Sequence, residues 1–262
     1  MSNYTENFFE RQCSGSQSSA ATIVPIVLNT LNPSSVIDFG CGTGVWLAEF
    51  ARRGVSNILG IDGPWVTEKS LVIDRCNFLA HDLTKPLRLK KTYDLAMSVE
   101  VAEHLSEEIA PVLVESLVQS APIVLFSAAI PHQGGVDHVN EQWPSYWSAQ
   151  FARHRYQTVD FIRSMVWQDA SVQWWYAQNM LVFIKDDKIS EISALRDMAE
   201  STPSTVLSLV HPRNYVSKIR ACEDPSHLGA WTIMQSLIPA FYKSLKRRIR
   251  GRTHLLRPPN TD

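Results

Sequence analysis

The chain has 262 residues, 45% of them hydrophobic and 19% charged, with a formal net charge of −1. That length allows one large domain with an appendage, and the near-neutral charge argues against a protein that coats nucleic acid, so no DNA partner is expected. No run of 18 apolar residues occurs, so no helix is expected to span a membrane.

The opening "MSNYTENFFERQ" lacks the basic and apolar stretches of a secretory signal. Four cysteines, Cys13, Cys41, Cys76 and Cys222, have no metal-type spacing, and we expect reduced thiols in a cytoplasmic protein. The apolar spacing of 18–32 predicts a helix despite Pro25. "SVIDFG" (35–40) is a β-branched run ending in glycine, a buried strand, and 43–54 reads as a helix closed by Gly54. Further strands are expected at 56–62, 76–83, 93–100 and 122–130, with a helix at about 110–120. A helix over 142–155, starting near Pro144, precedes two closing strands, "YQTVDFI" and "QNMLVFIK". Strands alternating with helices predict an α/β three-layer sandwich with a mostly parallel sheet. After "KDDK" (185–188) the pattern changes to separate helices and polar turns. We therefore divide the chain into a functional domain at 1–186 and a helical extension at 187–262.

"DFGCGTG" (38–44) is a strand–turn–helix junction whose glycines allow a ligand close to the backbone. Its spacing is Gly-x-Gly-x-Gly, not the dinucleotide Gly-x-Gly-x-x-Gly, and no Lys-Ser/Thr follows as in a phosphate loop. Asp62 ends the second strand, where a carboxylate can take a ribose diol. Asp82, with Leu83 beside it, could hold and cover an adenine ring. After the fourth strand come Glu100, Glu103 and His104 within five residues. Charged groups are rarely buried unless paired or bound to something. Two carboxylates and an imidazole suit Mg²⁺, Mn²⁺ or Zn²⁺. A further ligand could come from "IPHQGGVDHVNEQW", which carries His132, Asp137 and His138.

On "VIDFGCGTG", "GID", "HDL" and "YDLAMSVEVAEHL" the chain resembles the class I S-adenosylmethionine-dependent methyltransferases over about residues 35–130. The resemblance implies a seven-stranded Rossmann-like sheet and S-adenosyl-L-methionine as cofactor. It implies backbone contacts from Gly40 and Gly42 and a place for Asp38 near the cofactor's amino group. Cys41, Gly44, Gly63, Ser98 and Tyr4 complete the expected cofactor contacts. The Glu-x-x-Glu-His is similar to that of small-RNA 2′-O-methyltransferases and ubiquinone-pathway catechol O-methyltransferases. Carried over, it implies Glu100, Glu103, His104 and His138 as ligands of Mg²⁺ or Mn²⁺. Without a metal, His138, His132 or His104 would serve in acid–base catalysis.

We expect methyl transfer to a hydroxyl of a small molecule or saccharide, in a natural-product or glycan pathway. An RNA acceptor is the alternative, but the positive charge gathers at the C-terminus rather than beside the site. A cofactor-binding protein without catalysis is the other. Residues 3–20 are expected to close over the cofactor as a lid, with Tyr4, Phe8 and Phe9 as walls. Six basic residues in 241–252 could meet an anionic membrane surface. Five of the eight tryptophans lie between Trp143 and Trp175 and could wall a sugar or aromatic acceptor, or pack a core.

Overall fold

The computed structural model describes residues 6–191, 193–202, 207–223 and, within 234–242, positions 234, 235, 237, 239, 241 and 242. Side chains are described from residue 15 onward, except those of 193–195. Tyr4, the side chains of Phe8 and Phe9, and positions 243–252 of the basic tail therefore lie outside the described residues.

Seven strands form one sheet: β1 (Ser35–Phe39), β2 (Asn57–Asp62), β3 (Phe78–Ala80), β4 (Leu95–Val99), β5 (Ile123–Ser127), β6 (Tyr156–Val159) and β7 (Leu181–Lys185). Their order is β3-β2-β1-β4-β5-β7-β6. The first five are parallel, and β7 enters antiparallel between β5 and β6. A sheet covered on both faces needs strands that are apolar throughout. β1 and β5 come near that demand: every residue is buried, and the polar exceptions are Ser35 and Asp38 in β1 and Ser127 in β5.

One face carries Val36, Met97 and Leu125. It packs on α1 (Glu6–Leu31) through Ile23 and Val27, and on α2 (Val45–Arg52) through Leu47 and Phe50. The same layer takes in α5 (Ile162–Val166) and α6 (Trp174–Asn179). The opposite face carries Ile37, Phe39, Val124 and Phe126, against α3 (Ala110–Ser120) and α4 (Pro144–Ala152). Phe126 is edge-on to Phe151, and Phe151 stacks on Phe183 with centroids 3.9 Å apart. α2 ends as its sequence predicts. Gly54, at φ 102°, donates to the Ala51 carbonyl while Val55 donates to Phe50, a glycine-terminated helix end.

Several boundaries differ from expectation for local reasons. Of the lid segment, residues 6–20 belong to the single helix α1, which continues to Leu31. The third strand shrinks from 76–83 to three residues, because the Asp82 carboxylate captures the Thr84 N–H and turns the chain. "YQTVDFI" stops at Val159, where Asp160 accepts from Arg163 of α5. Gln178 and Asn179 end α6 instead of starting β7.

Contacts continue past 186. α7 (Asp186–Glu191) and α8 (Ser193–Ser201) follow β7, and buried Arg163 donates to the carbonyls of Gln178 and Leu207. The first compact unit runs to Asn214 and the second from Tyr215, with α9 (Pro212–Glu223) at the junction in sequence.

Candidate active site

The glycine turn at the end of β1 is anchored from beneath. Gly40 and Cys41 both donate to the Ile61 carbonyl of β2, at 2.7 and 3.1 Å. Gly40 and Gly42 sit at φ 84° and 53°, where a side chain is strained. Their surroundings differ. A Cβ on Gly40 would lie 2.4 Å from Val101 Cγ2, whereas one on Gly42 would meet nothing within 4 Å. Gly40 is thus needed for packing, and Gly42 faces open space. Gly44, at φ 87°, begins α2 and lies under Ile73.

Two buried acids frame this opening. Asp62 accepts from the Gly42 and Gly63 N–H groups, both at 2.7 Å. Asp38 is 2% exposed and its Oδ1 has no partner. Burial, with help from the charge of Asp62, pushes the Asp38 carboxyl up to about 7. An orphaned carboxyl beside an open glycine turn fits a ligand that brings a cationic amino group, as S-adenosylmethionine does. The remaining cofactor candidates separate. The Cys41 thiol packs inward over Gly60, where a Cβ would lie 2.6 Å from its sulfur, and burial pushes the thiol up. That leaves only the Cys41 main chain for a ligand. Gly63 lies under the Trp65 ring, 2.1 Å from where a Cβ would stand. Asp82 is tied to Thr84 and to Lys85 at 3.3 Å, and Leu83 packs toward the core. Ser98 is fully buried, its hydroxyl is without a partner, and strand alternation turns it to the face opposite Asp38.

Beyond β4 the acidic segment splits. Glu100 adopts φ 55°, and its N–H bonds the Ser127 carbonyl at 3.0 Å. Its carboxylate accepts from Asn179 Nδ2 at 3.1 Å and Gln133 Nε2 at 3.3 Å. Glu103 is fully buried beside the Glu100 carboxyl and the Ala129 main chain, with neither oxygen in a well-formed hydrogen bond. Burial, then the charge of Glu100, pushes its carboxyl well above the usual range. Ligand atoms of Glu103, His104 and His138 lie within 4.8 Å of one another. The two imidazoles meet edge to face with centroids 4.9 Å apart. His104 Nδ1 is buried without a partner, and burial, then His138, holds the His104 pKa below its ordinary value. Without a cation, burial and the neighbouring Glu100 keep the proton on Glu103, and a divalent ion bound at this trio would take its place. The donor set fits a divalent ion.

Glu100, expected as a fourth ligand, is outside this trio among the described residues; two amides hold its carboxylate, which lies against that of Glu103.

The loop after β5 brings His138 in. Val139 and Asn140 donate to the Glu103 carbonyl at 2.8 and 3.0 Å, so the loop closes over the turn holding Glu103 and His104. Glu141 fixes its shape. It accepts from the main-chain N–H of His132 and Gly134, both at 2.7 Å, and from His138 Nδ1 at 3.0 Å. His132 is exposed, at φ 65°, outside the trio; its main chain anchors the loop.

A methyltransferase-domain family matches residues 17–169, more than half of the sequence. The chain belongs to that methyltransferase family. It is a class I S-adenosylmethionine-dependent methyltransferase, and its strand order and glycine turn are those of the Rossmann-like methyltransferase fold. This methyltransferase is 28% identical over 120 residues to the ribosomal protein L11 methyltransferase of Shewanella baltica (strain OS195). The match covers 43% of this chain and 40% of that protein, so the chain spans about two fifths of that relative's length. A protein of Nostoc punctiforme PCC 73102 described as an O-methyltransferase has a similar fold, with TM-score 0.50 and 13% identity over 68% of this chain and 59% of that one. The methyltransferase domain of a bacterial CtHen1 gives TM-score 0.47 and 19% identity, over 65% of this chain and 99% of that one. Among the described residues, no helix of this methyltransferase is long and apolar enough to cross a membrane.

The sequence reading of this methyltransferase missed Glu141, Gln133, Gln178 and Asn179. Glu141 carried a weak local signal, three residues beyond His138. The amides carried none, because Asn179 reaches Glu100 across 79 positions of chain.

Proposed function

We propose that this methyltransferase acts on a hydroxyl of a small molecule or saccharide, with a divalent cation at Glu103, His104 and His138. One observation carries the reading: the fully buried Glu103 carboxylate stands with two imidazoles at the end of β4, their ligand atoms within 4.8 Å of one another. In open α/β sheets that strand end is where ligands bind.

The cofactor supplies a methyl on a sulfonium. In the transfer its S–C bond breaks, an O–C bond forms, and the hydroxyl proton must leave. A divalent cation supplies the charge that lowers the pKa of an acceptor hydroxyl near neutral pH. The protein's part is orientation. Glu141 holds the His138 ring, Val139 and Asn140 hold the loop on Glu103, and burial with its neighbour His138 keeps His104 neutral. If no cation binds, His138 backed by Glu141 is the base, as in other carboxylate–histidine pairs.

The test pairs cofactor turnover with chelation, using catechol and methyl pyranosides as acceptors. Methyl transfer lost in EDTA and restored by Mn²⁺ supports the reading. Full transfer in EDTA removes the cation from it, and absence of transfer to either acceptor class removes the hydroxyl.

A further inference from the structure

A second recess lies on the same compact unit, built where α5, α6 and the segment 207–213 meet. Two clefts of about 260 and 560 Å³ join at Trp167, Gln168 and Asp169. Volumes on that scale are those of small-ligand sites. The indoles of Trp167 and Trp174 and the ring of His211 wall the smaller one, with Arg213 at its edge.

These walls are fixed. The His211 ring lies 4.8 Å from Trp167, and its Nε2 donates to the Trp167 carbonyl at 2.8 Å. Its Nδ1 accepts from the Arg213 N–H at 3.2 Å. The His211 main-chain N–H donates to Gln178 Oε1 at 2.8 Å. Gln178 is fully buried and donates in turn to Gln133 and Asn179, the two amides that hold Glu100. One continuous chain of hydrogen bonds therefore joins a wall of the recess to the edge of the active site.

The chemistry of the recess narrows its ligand. Half-buried indoles offer flat faces for stacking. Around them stand donors and acceptors of three kinds: the exposed Arg213 guanidinium, the Gln168 amide and the Asp169 carboxylate. Asp169 Oδ1 is taken by Ser171, at 2.8 Å from its N–H and 2.6 Å from its hydroxyl, which sets the carboxylate in place. The smaller cleft is lined by one guanidinium and one carboxylate, and the neighbouring Arg163 and Asp160 neutralise each other at 2.6 Å. A recess without surplus positive charge is poorly made for a phosphate. A lipid would leave its polar rim unsatisfied. A neutral ring with C–H faces and hydroxyl edges answers both features.

We propose that this recess is a saccharide subsite that holds a neutral pyranose ring of the acceptor. The proposal rests on the saccharide reading of the proposed function. It adds a holding point for the glycan outside the residues assigned to the cofactor and the cation.

Saturation-transfer NMR on the full chain tests it, with methyl glucoside, galactoside and mannoside, and adenosine 5′-monophosphate as the rival probe. We expect transfer to at least one pyranoside. It should fall at least fivefold in Trp174→Ala and in Arg213→Ala, each checked for an unchanged far-ultraviolet circular dichroism spectrum and a cooperative thermal transition. Arg213 is exposed, so its truncation preserves the fold. Glu103→Gln should lose Mn²⁺ and keep the sugar signal, so failure at the cation site and failure at the recess are told apart. No transfer to any pyranoside, transfer to the nucleotide alone, or an unchanged signal in both recess variants overturns the proposal.

Discussion

His138 donates its Nδ1–H to Glu141 Oε1 across 3.0 Å, leaving Nε2 as the ring's lone-pair nitrogen. A carboxylate can only accept, so this bond fixes the tautomer. The same Glu141 also accepts from the His132 and Gly134 N–H groups, so it sets the loop and the imidazole together.

Glu141→Ala should therefore weaken Mn²⁺ binding by about 10- to 100-fold, the usual cost of losing the carboxylate behind a ligating histidine. Calorimetric titration with Mn²⁺ checks it. An affinity within twofold of wild type would mean that the loop orients His138 without Glu141.

Glu100 and Glu103 should behave differently. Glu103→Gln removes the trio's carboxylate and should abolish Mn²⁺ binding. Glu100→Gln should retain it within a few-fold, because Glu100 bonds Asn179 and Gln133 and stands outside the trio. Equal loss in both variants, read by electron paramagnetic resonance of Mn²⁺, would restore Glu100 as a ligand.

Asp38 gives the cofactor-free protein a pH dependence. Its carboxyl titrates near 3.8 when exposed and at about 7 in the fold. Between those values the folded state holds the proton more tightly, so stability falls as pH rises through the window and stays lowered above it. Asp38→Asn should raise the melting temperature at pH 8, leave it nearly unchanged at pH 4, and weaken S-adenosylmethionine binding by at least about tenfold, the equivalent of one charge-assisted hydrogen bond. Parallel melting profiles for the two proteins from pH 4 to 8 would contradict the assignment.

Gly42→Val should block the cofactor while the protein still folds. Its Cβ meets no protein atom within 4 Å, so the added bulk enters the open space of the turn. The φ of 53° adds a strain of about 1–2 kcal/mol. Calorimetry should find cofactor binding lost in a protein whose thermal transition remains cooperative. Retained affinity would place the cofactor elsewhere.

Arg163→Leu should cost about 3–5 kcal/mol, as expected when one partner of a buried ion pair is removed. Its guanidinium is 1% exposed and serves Asp160 and the carbonyls of Gln178 and Leu207. Urea denaturation measures this, and a loss under 1 kcal/mol would show that 207–214 is held by other contacts.

The sequence by itself determined the parts that local chemistry dictates. A β-branched run ending in glycine, such as 35–40, reads as a strand inside a covered sheet. Gly-x-Gly-x-Gly must turn where side chains cannot, and Gly54 must end α2. Asp38, Gly42, Asp62, Glu103, His104 and His138 were legible because each sits within a few residues of a recognisable strand end. Only the tertiary structure decided which of these groups are partnered. Asn179 and Gln133 hold the Glu100 carboxylate beside Glu103, Glu141 accepts from His138 Nδ1, and alternation along β4 turns Ser98 from the Asp38 face. Trp167 and His211, 44 positions apart, become one wall. Hydrogen-bond partners are chosen by distance in space, and no local pattern encodes a contact made by segments that meet only when the sheet closes.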